Sequence, residues 1–143
     1  PMHQRISRRL LLQLVPYFHE RNLEEVFNAP LDVILTLHDV FEPDLLVVAD
    51  PSHISKRGIE KPPLLVVEIL SPSTRRVDRG LKFRRYATLG VQHCWIVDPD
   101  EKRLECFRLV AGEFAPVVDA RGNATLAHPD WDGLVIDLAA LWR

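Results

Sequence analysis

The sequence predicts an α/β (α+β) domain in which helices flank a central mixed sheet. Three observations predict it: a helical apolar period at the N-terminus, short runs rich in Val, Ile and Leu in the middle, and a second helical segment between two such runs. The 143 residues are 47% hydrophobic and 27% charged, which excludes disorder, collagen-like repeats and a coiled-coil rod. A chain of this length buries enough surface to need neither a disulfide framework nor a structural metal.

The first predicted element is an amphipathic helix from Gln4 to about Arg21. Pro16 falls inside it and predicts a bend or fraying at that point. Apolar side chains recur every three or four positions and therefore share one face of the helix. They are Ile6, Leu10, Leu11, Leu14 and Phe18.

After Asn22 the apolar pattern changes to short runs that predict strands. These runs cover 33–35, 45–49 and 64–70, and Pro, Asp or Gly residues bound them. The run at 64–70 is nearly continuous, as expected of a central strand that is covered on both faces. Residues 51–63 are polar and end in a Pro pair, which predicts a mobile loop.

A second helix and a β-hairpin follow the central strand. Residues 71–74 are rich in helix-starting types, and the apolar positions from Val77 onward predict a helix that Gly90 terminates. A hairpin over 94–109 is predicted, with its reversal at Asp98–Glu101. The remaining apolar runs predict peripheral strands and a short C-terminal helix, at 114–118, at 134–138 and up to Trp142.

Charge and cysteine content narrow the functional class. A net charge of −2 and a pI near 6.3 exclude a polycation that binds nucleic acid by bulk attraction, so any such binding needs a local patch. No apolar run is long enough for a membrane span, and no secretion signal precedes the first helix. Cys94 and Cys106 lack the paired spacing of a zinc site, and a cytoplasmic protein is expected.

Glu68 is the most informative position, because it is the one charge within the apolar segment 64–70. Removing a carboxylate from water costs several kcal/mol unless it is paired, hydrogen-bonded or metal-bound. A divalent cation would compensate it. The alternative is that Glu68 pairs with an arginine or lysine of the following helix.

Asp44 follows Pro43 at the head of the predicted strand 45–49. Asp in that position is commonly a turn residue, and this interpretation stays open. If the strands 45–49 and 64–70 are neighbours, however, Asp44 and Glu68 converge and repel each other without a cation. Oxygen ligands of this kind suit a hard ion such as Mg²⁺.

The segment 71–90 carries a net charge of +5 although the whole chain carries −2. Such segregation is typical of a phosphate-binding face, and a solvated helix face is the alternative. Lys82 lies four residues after Asp78 and four before Tyr86, so the three share one helical face. Lys82 is therefore placed either to reach the strand end that carries Glu68 or to pair with Asp78.

The other polar and aromatic residues of note are assigned structural roles. Five histidines show no metal-ligand spacing on a shared helix face and are predicted to be surface or core groups: His19, His38, His53, His93 and His128. The tryptophans are predicted to lie in the core or in an interface, and both cysteines to be small apolar residues of the hairpin. The tryptophans are Trp95, Trp131 and Trp142.

The motifs, taken together, resemble a bacterial family called Uma-two. They are the Pro43-Asp44 pair, the segment Val67 to Thr74, the series Asp78, Lys82 and Tyr86-Ala87, the Gly90-Val91 pair, and the segment Trp95 to Pro99. The similarity extends over residues 3–142, with His3 ahead of the first helix and Gly133-Leu134 near the end. The resemblance implies an endonuclease with a restriction-endonuclease-like, PD-(D/E)XK fold, in one domain over residues 1–143.

The resemblance also implies roles for the acidic pair and a lysine. Asp44 and Glu68 match the positions that bind Mg²⁺ or Mn²⁺, with the Ile69 carbonyl as a further ligand. The general motif has its lysine two residues after the acid, where this chain has Leu70. Lys82 on the following helix is the matching candidate. The implied reaction is metal-assisted hydrolysis of DNA, in which Lys82 stabilises charge that develops at phosphorus.

Further residues are expected around this site. Four cations are predicted to position the nucleic-acid backbone without reading its sequence: Arg75, Arg76, Arg79 and Lys56. Ser71 and Thr74 are predicted to cap the second helix and contact phosphate. Asp78 and Tyr86 are predicted to orient the metal ligands and Lys82 without contacting the ion themselves.

The sequence departs from the family at its N-terminus, and two alternative functions stay open. Family members carry an N-terminal segment with an acidic residue ahead of Pro1, and Glu20 is the only replacement we suggest here. Without that acidic segment, the domain would be a catalytically silent module that binds nucleic acid or a protein partner. The other alternative is a homodimer whose interface contains Trp95 and the hairpin.

Overall fold

The protein is described here by a computed structural model that covers residues 2–21, 25–71 and 78–143, with the side chains of Asp78 and Arg79 outside it. Its helices are α1 (Met2–Glu20), α2 (Phe83–Thr88) and α3 (Ala139–Trp142). A 3-10 turn covers Pro51–His53, and a π-helical turn covers Asp78–Lys82 directly before α2. None of these helices combines the length and apolar character needed to cross a membrane.

Twelve strands form three sheets in the described part of the chain. They are β1 (Glu25–Asn28), β2 (Val33–Ile34), β3 (Val40–Phe41), β4 (Leu45–Val48), β5 (Ile54–Ser55), β6 (Gly58–Ile59), β7 (Leu65–Ile69), β8 (His93–Asp98), β9 (Arg103–Val110), β10 (Glu113–Arg121), β11 (Thr125–Ala127) and β12 (Val135–Asp137). The main sheet has the order β1-β4-β7-β8-β9-β10. Only β7 and β8 run parallel in it, so the predicted mixed sheet is confirmed.

Side chains of the central strands alternate between two hydrophobic cores, one on each face of the sheet. On the first face, Val67 and Ile69 of β7 pack with the buried stripe of α1, and we call it the α1 face. On the second, Val66 and Leu70 pack with Tyr86 of α2, and we call it the α2 face. The sequence predicted β7 to be covered on both faces, and all five of its residues are buried.

The stripe that holds α1 on the sheet is the predicted one. Ile6, Leu10, Leu14 and Phe18 are fully buried, whereas the flanking positions of the helix are partly or fully exposed. Each buried side chain of this size contributes roughly 1.5–3 kcal/mol relative to an exposed one. Burial therefore fixes α1 on the sheet from Ile6 to Phe18.

The second helix ends where the sequence predicts. Gly90 has a φ of 93°, a left-handed conformation that favours glycine, and its N–H donates to the Ala87 carbonyl at 3.2 Å. The next amide, of Val91, donates to the Tyr86 carbonyl at 3.0 Å. The helix is regular only from Phe83, because the π-helical turn precedes it, and Val77 lies outside the described residues.

The prediction of a loop over 51–63 was wrong in part. Ile54–Ser55 and Gly58–Ile59 pair as strands β5 and β6, and β6 joins β2. The reason is burial, since Ile59 is fully buried in the core of the α2 face. Gly58 permits this because its φ is 138°, and a Cβ there would lie 2.3 Å from the Asp32 carbonyl oxygen.

The hairpin and the C-terminal elements agree with the prediction. β8 and β9 pair as an antiparallel hairpin, and Asp98 Oδ1 accepts the N–H groups of Asp100 and Glu101 in its turn. Trp95 is fully buried in the core of the α1 face. An interface through Trp95 is therefore wrong, because that side chain is not available to a second subunit.

Candidate functional site

The two strands that carry the predicted acids are neighbours. β4 and β7 pair antiparallel, with Leu45 opposite Val67. Asp44 precedes β4 by one residue, so continuing this register brings it opposite Glu68. The sequence analysis required these two strands to be neighbours for Asp44 and Glu68 to converge, and they are neighbours.

Asp44 touches the backbone next to Glu68. Its Oδ2 accepts the N–H of Ile69 at 2.7 Å, and this amide belongs to the peptide bond that links Glu68 to Ile69. The Asp44 side chain is 17% exposed, so it lies at the boundary between the sheet and solvent. A carboxylate held by a backbone N–H has a fixed orientation, which is a requirement of a ligand.

Glu68 is buried on the α2 face with 3% of its surface exposed. Tyr86, from the second helix, donates its hydroxyl to Glu68 Oε1 at 2.6 Å. The following helix thus supplies a phenol as a partner for this acid, whereas the alternative in the sequence analysis was an arginine or lysine of that helix. Tyr86 is itself fully buried, so its hydroxyl is held in place by packing.

Lys82 lies one helical turn before Tyr86, at the junction of the π-helical turn and α2. Residues four apart on a helix share a face, so Lys82 lies on the face that Tyr86 turns towards Glu68. Lys82 is half-buried, and so is Ser71, which follows the end of β7 closely. The predicted lysine therefore belongs to the same side of the sheet as Glu68.

His3 is a member of this site to which sequence reasoning gave no role. Its Nε2 lies 3.1 Å from Asp44 Oδ1, and its side chain is 41% exposed. The signal that identifies it is its spacing, because His3 precedes Ile6 by three positions and Leu10 by seven. It therefore extends the buried stripe of α1 by one turn, to the edge of the sheet where Asp44 lies.

Glu20 was the wrong choice for an acidic residue supplied by the N-terminal region. It is the last residue of α1, whereas His3 is near the first. The two are about 25 Å apart along the helix axis at 1.5 Å per residue. The end of α1 that reaches Asp44 carries an imidazole.

An open depression of about 510 Å³ adjoins His3 and Asp44. Its other walls come from the first turns of α1 and from the segment after β1. Polar groups in these walls include Ser7, Arg8 and Asn28. The exposed Arg8 was not among the cations predicted to contact phosphate, because only its position beside Asp44 distinguishes it.

The predicted cations are only partly described. Lys56 is exposed in the turn between β5 and β6. Arg75, Arg76 and Thr74 lie outside the described residues, and so do the side chains of Arg79 and Asp78.

Part of the charge of the 71–90 segment is compensated within the chain. Arg85 donates to Asp39 through Nε at 2.8 Å and Nη2 at 2.6 Å. This guanidinium holds the pKa of the Asp39 carboxyl well below its usual range. Arg85 therefore links α2 to the β2–β3 hairpin, and the predicted phosphate-binding face loses one of its cations.

A second cluster of ligand types, His93, His128 and Asp130, lies on the α1 face. We call it the histidine pocket. One potential ligand atom from each residue lies within 4.8 Å of the others. His93 and His128 are buried polar groups, as predicted, but the sequence analysis did not indicate that they lie together. The residues are far apart in sequence, and the turn after β11 brings His128 and Asp130 to the first residue of β8.

The electrostatics of the histidine pocket favour neutral imidazoles. Burial lowers the pKa of His93 to about 4, with Asp130 opposing the shift and His128 and Arg108 adding to it. Burial also lowers the pKa of His128. Neutral imidazole is the form that binds metals.

Hydrogen bonds nevertheless occupy several of the lone pairs in the histidine pocket. Arg108 donates to both oxygens of Asp130, through Nε to Oδ2 at 2.7 Å and through Nη2 to Oδ1. The Asp130 N–H donates to His128 Nδ1 at 3.1 Å, which leaves the proton of a neutral ring on Nε2. Among the described residues, His93 Nδ1 and His128 Nε2 have no hydrogen-bond partner. A cation bound by these three residues would compete with Arg108 for Asp130 and with the Asp130 amide for His128.

Comparisons with known proteins identify the family and the fold. A crystal structure described as that of a putative nuclease belonging to DUF820, from Anabaena variabilis, superposes with a TM-score of 0.77 at 19% identity, over 99% of this chain and 80% of that one. An uncharacterized Synechocystis protein, slr1290, is 42% identical over 64 residues, which are 44% of this chain and 34% of that protein's length. Residues 1–139 match the family Uma2, described as "Putative restriction endonuclease". The chain belongs to this family and has its nuclease-like fold.

Proposed function

We propose that the protein is an endonuclease that hydrolyses phosphodiester bonds of DNA with Mg²⁺ or Mn²⁺ held by Asp44 and Glu68. One observation carries the proposal: Asp44 accepts the Ile69 amide, so its carboxylate lies directly beside the strand position of the buried Glu68. A pair of acids on adjacent strands has no evident packing role, because each carboxylate costs several kcal/mol to desolvate. The family and the fold support the nuclease class.

The donor chemistry fits a hard divalent cation. Carboxylates of Asp44 and Glu68 supply the anionic oxygens that Mg²⁺ and Mn²⁺ prefer. The Ile69 carbonyl points to the same side of β7 as its N–H, and therefore towards Asp44, so it is available as a third oxygen. When bound, the ion supplies polarisation of a phosphoryl oxygen and makes a water more acidic.

The remaining groups prepare the site and its substrate. Tyr86 donates to one oxygen of Glu68, which helps to fix the orientation of this carboxylate. Lys82, the last residue of the π-helical turn before α2, stabilises the charge that develops at phosphorus. We assign contacts with phosphate to Ser71 and Thr74, as the sequence predicts.

Cations around the depression position the nucleic-acid backbone. Arg8 borders the same open space as Asp44, which supports a phosphate contact there. We assign the same role to Lys56, Arg75, Arg76 and Arg79. These contacts give salt-dependent binding without sequence recognition.

Cleavage of supercoiled plasmid DNA by the purified full chain tests the proposal. We expect nicking in Mg²⁺ or Mn²⁺ that EDTA abolishes. Glu68→Gln and Asp44→Asn should each reduce the rate by about 10²- to 10³-fold, because the ion supplies several kcal/mol of charge stabilisation. Glu113→Gln, at an exposed position of β10, is the matched control and should cut like the wild type.

Two outcomes would contradict the proposal. Unchanged cutting by Glu68→Gln would remove the acidic pair from the reaction. Salt-sensitive DNA binding without any cutting in either metal would instead identify a catalytically silent binding module. Circular dichroism of each variant must match the wild type, so that loss of cutting reports on chemistry rather than unfolding.

A further inference from the structure

We propose that His3 is a nitrogen ligand of the ion held by Asp44 and Glu68, and that the site therefore prefers Mn²⁺ and other first-row transition metals over Mg²⁺. This inference rests on the proposed function, because it concerns the same ion. It adds a ligand and a metal preference that the acidic pair alone does not imply.

Burial fixes the helical turn that follows His3. Ile6 and Leu10, on the same face of α1, are fully buried against the sheet. His3 lies one turn earlier on that face and is only half-buried, because the sheet ends at Asp44. The helix therefore delivers an imidazole to the open end of the strand pair, and an apolar residue there would have continued the stripe equally well.

The distance from Nε2 to Asp44 Oδ1 suits two ligands of one ion. It is 3.1 Å in the structure. Two ligands at right angles around an ion with bonds of about 2.1 Å are about 3.0 Å apart, so little movement is needed. The other oxygen of Asp44 is fixed by the Ile69 amide, which leaves Oδ1 as the oxygen that faces His3.

Access to the site is also favourable. The depression of about 510 Å³ borders both His3 and Asp44, which gives an entry path and room for water or phosphate oxygens. His3 and Asp44 combine a nitrogen donor, an acid and open space.

Ligand type predicts the metal preference. Mg²⁺ binds oxygen almost exclusively, whereas first-row transition metals also accept imidazole, strongly for Zn²⁺, Cu²⁺, Fe²⁺ and Ni²⁺ and more weakly for Mn²⁺. One imidazole beside two carboxylates shifts the selectivity of the site towards Mn²⁺. Substitution of His3 should therefore reduce Mn²⁺ affinity by at least about tenfold, the lower limit for loss of a group that only supports a ligand, and reduce Mg²⁺ affinity less.

Pulsed electron paramagnetic resonance of Mn²⁺ bound to the full chain, with no DNA present, tests this directly. A coordinated imidazole adds ¹⁴N modulation to the electron spin echo. We expect this signal in the wild type and its loss in His3→Ala. His19→Ala, at the exposed far end of α1, and His128→Gln, in the histidine pocket, are controls that should keep it.

A second variant separates ligation from support of Asp44. His3→Asn keeps a polar donor near Asp44 but removes the imidazole. Wild-type Mn²⁺ affinity in His3→Asn, or a ¹⁴N signal that persists in His3→Ala, would overturn the inference while leaving the acidic pair in place. Failure of the wild type to bind Mn²⁺ at all, by titration calorimetry, would instead remove the proposed function on which the inference rests.

Discussion

The Asp44–Glu68 site and the histidine pocket contain similar residue types but hold them in opposite ways. Glu68 lies on the α2 face near the end of β7, whereas His93 is the first residue of β8 and contacts Trp131 on the α1 face. In the pocket, an arginine binds both oxygens of the acid. At the strand end, the Ile69 amide donates to Oδ2 of Asp44, and the His3 imidazole lies against Oδ1.

This difference concerns which charge compensates the carboxylate. Asp130 already has a guanidinium partner, and Arg108 lowers the pKa of the Asp130 carboxyl. Closely spaced ligand types are therefore not sufficient for a metal site, because the lone pairs must also be available. The four predictions below test whether the two regions differ as we describe.

The largest expected effect is the loss of Lys82 from the Asp44–Glu68 site. Lys82→Ala should reduce the DNA cleavage rate by about 10²- to 10³-fold, as removal of one preorganised donor does in other active sites. Lys61→Ala, at an exposed position between β6 and β7, is the control and should cut normally. Equal rates for both variants would exclude Lys82 from catalysis.

The buried hydroxyl of Tyr86 should contribute more to the free energy of unfolding than the exposed hydroxyl of Tyr17. Tyr86→Phe removes a donor from the buried Glu68 carboxylate and should lower the free energy of unfolding by about 1.5–3 kcal/mol. Tyr17→Phe is the matched control, because its hydroxyl donates to the Asp132 carbonyl in an exposed position. Urea denaturation at pH 7 that gives equal losses for the two would contradict the account of Glu68.

Stability of the metal-free protein should fall in acid because of the histidine pocket. His93 has a folded-state pKa of about 4 against 6.5 for the free side chain, so the unfolded chain binds more protons between these values. The neutral His93 ring therefore contributes to the free energy of unfolding above pH 6.5, and this contribution is lost by pH 4. With allowance for partial solvation, it amounts to about 2 kcal/mol. Asp130 opposes this shift, whereas His128 and Arg108 reinforce it.

Urea denaturation with EDTA from pH 7 to pH 4 measures this contribution. His93→Phe should flatten the decline relative to the wild type, and His19→Gln, at an exposed position, should not. If stability declines equally with pH in His93→Phe and the wild type, the pKa of His93 is the same in the folded and the unfolded chain, which would contradict this account.

The smallest effect is expected at the rim of the depression. Arg8→Ala should weaken DNA binding modestly and reduce the slope of log affinity against log salt by about 1, as loss of one phosphate contact does. Arg5→Ala is the control, because this exposed residue of α1 does not line the depression. Fluorescence anisotropy of a labelled duplex at several salt concentrations measures both slopes.

Local patterns were sufficient to predict the elements that carry the proposed site. The stripe of α1 and the apolar run of β7 follow helical and strand periods, and a single Glu within that run is visible without a structure. The placement of Asp44 needed one further assumption, that β4 and β7 are adjacent. Whether two strands about 20 residues apart pair with each other depends on the tertiary fold, and the local residue pattern does not show it.

The residues that sequence reasoning missed depend on tertiary contacts. His93 and His128 are brought together by the β11–β12 hairpin, and no local spacing indicates this. The short strands β5 and β6 pair because Ile59 is buried against another sheet, which overrides the polar composition of their segment. His3 was detectable in principle, since it continues the α1 stripe, but its role required the position of Asp44.

Titration calorimetry of Mn²⁺ into the full chain tests the central claim most directly. We predict one binding site that Asp44→Asn and Glu68→Gln each weaken by at least about tenfold, and that His128→Gln leaves unchanged. Wild-type affinity in Glu68→Gln, or loss of binding in His128→Gln, would place the ion in the histidine pocket and contradict our assignment of the two regions.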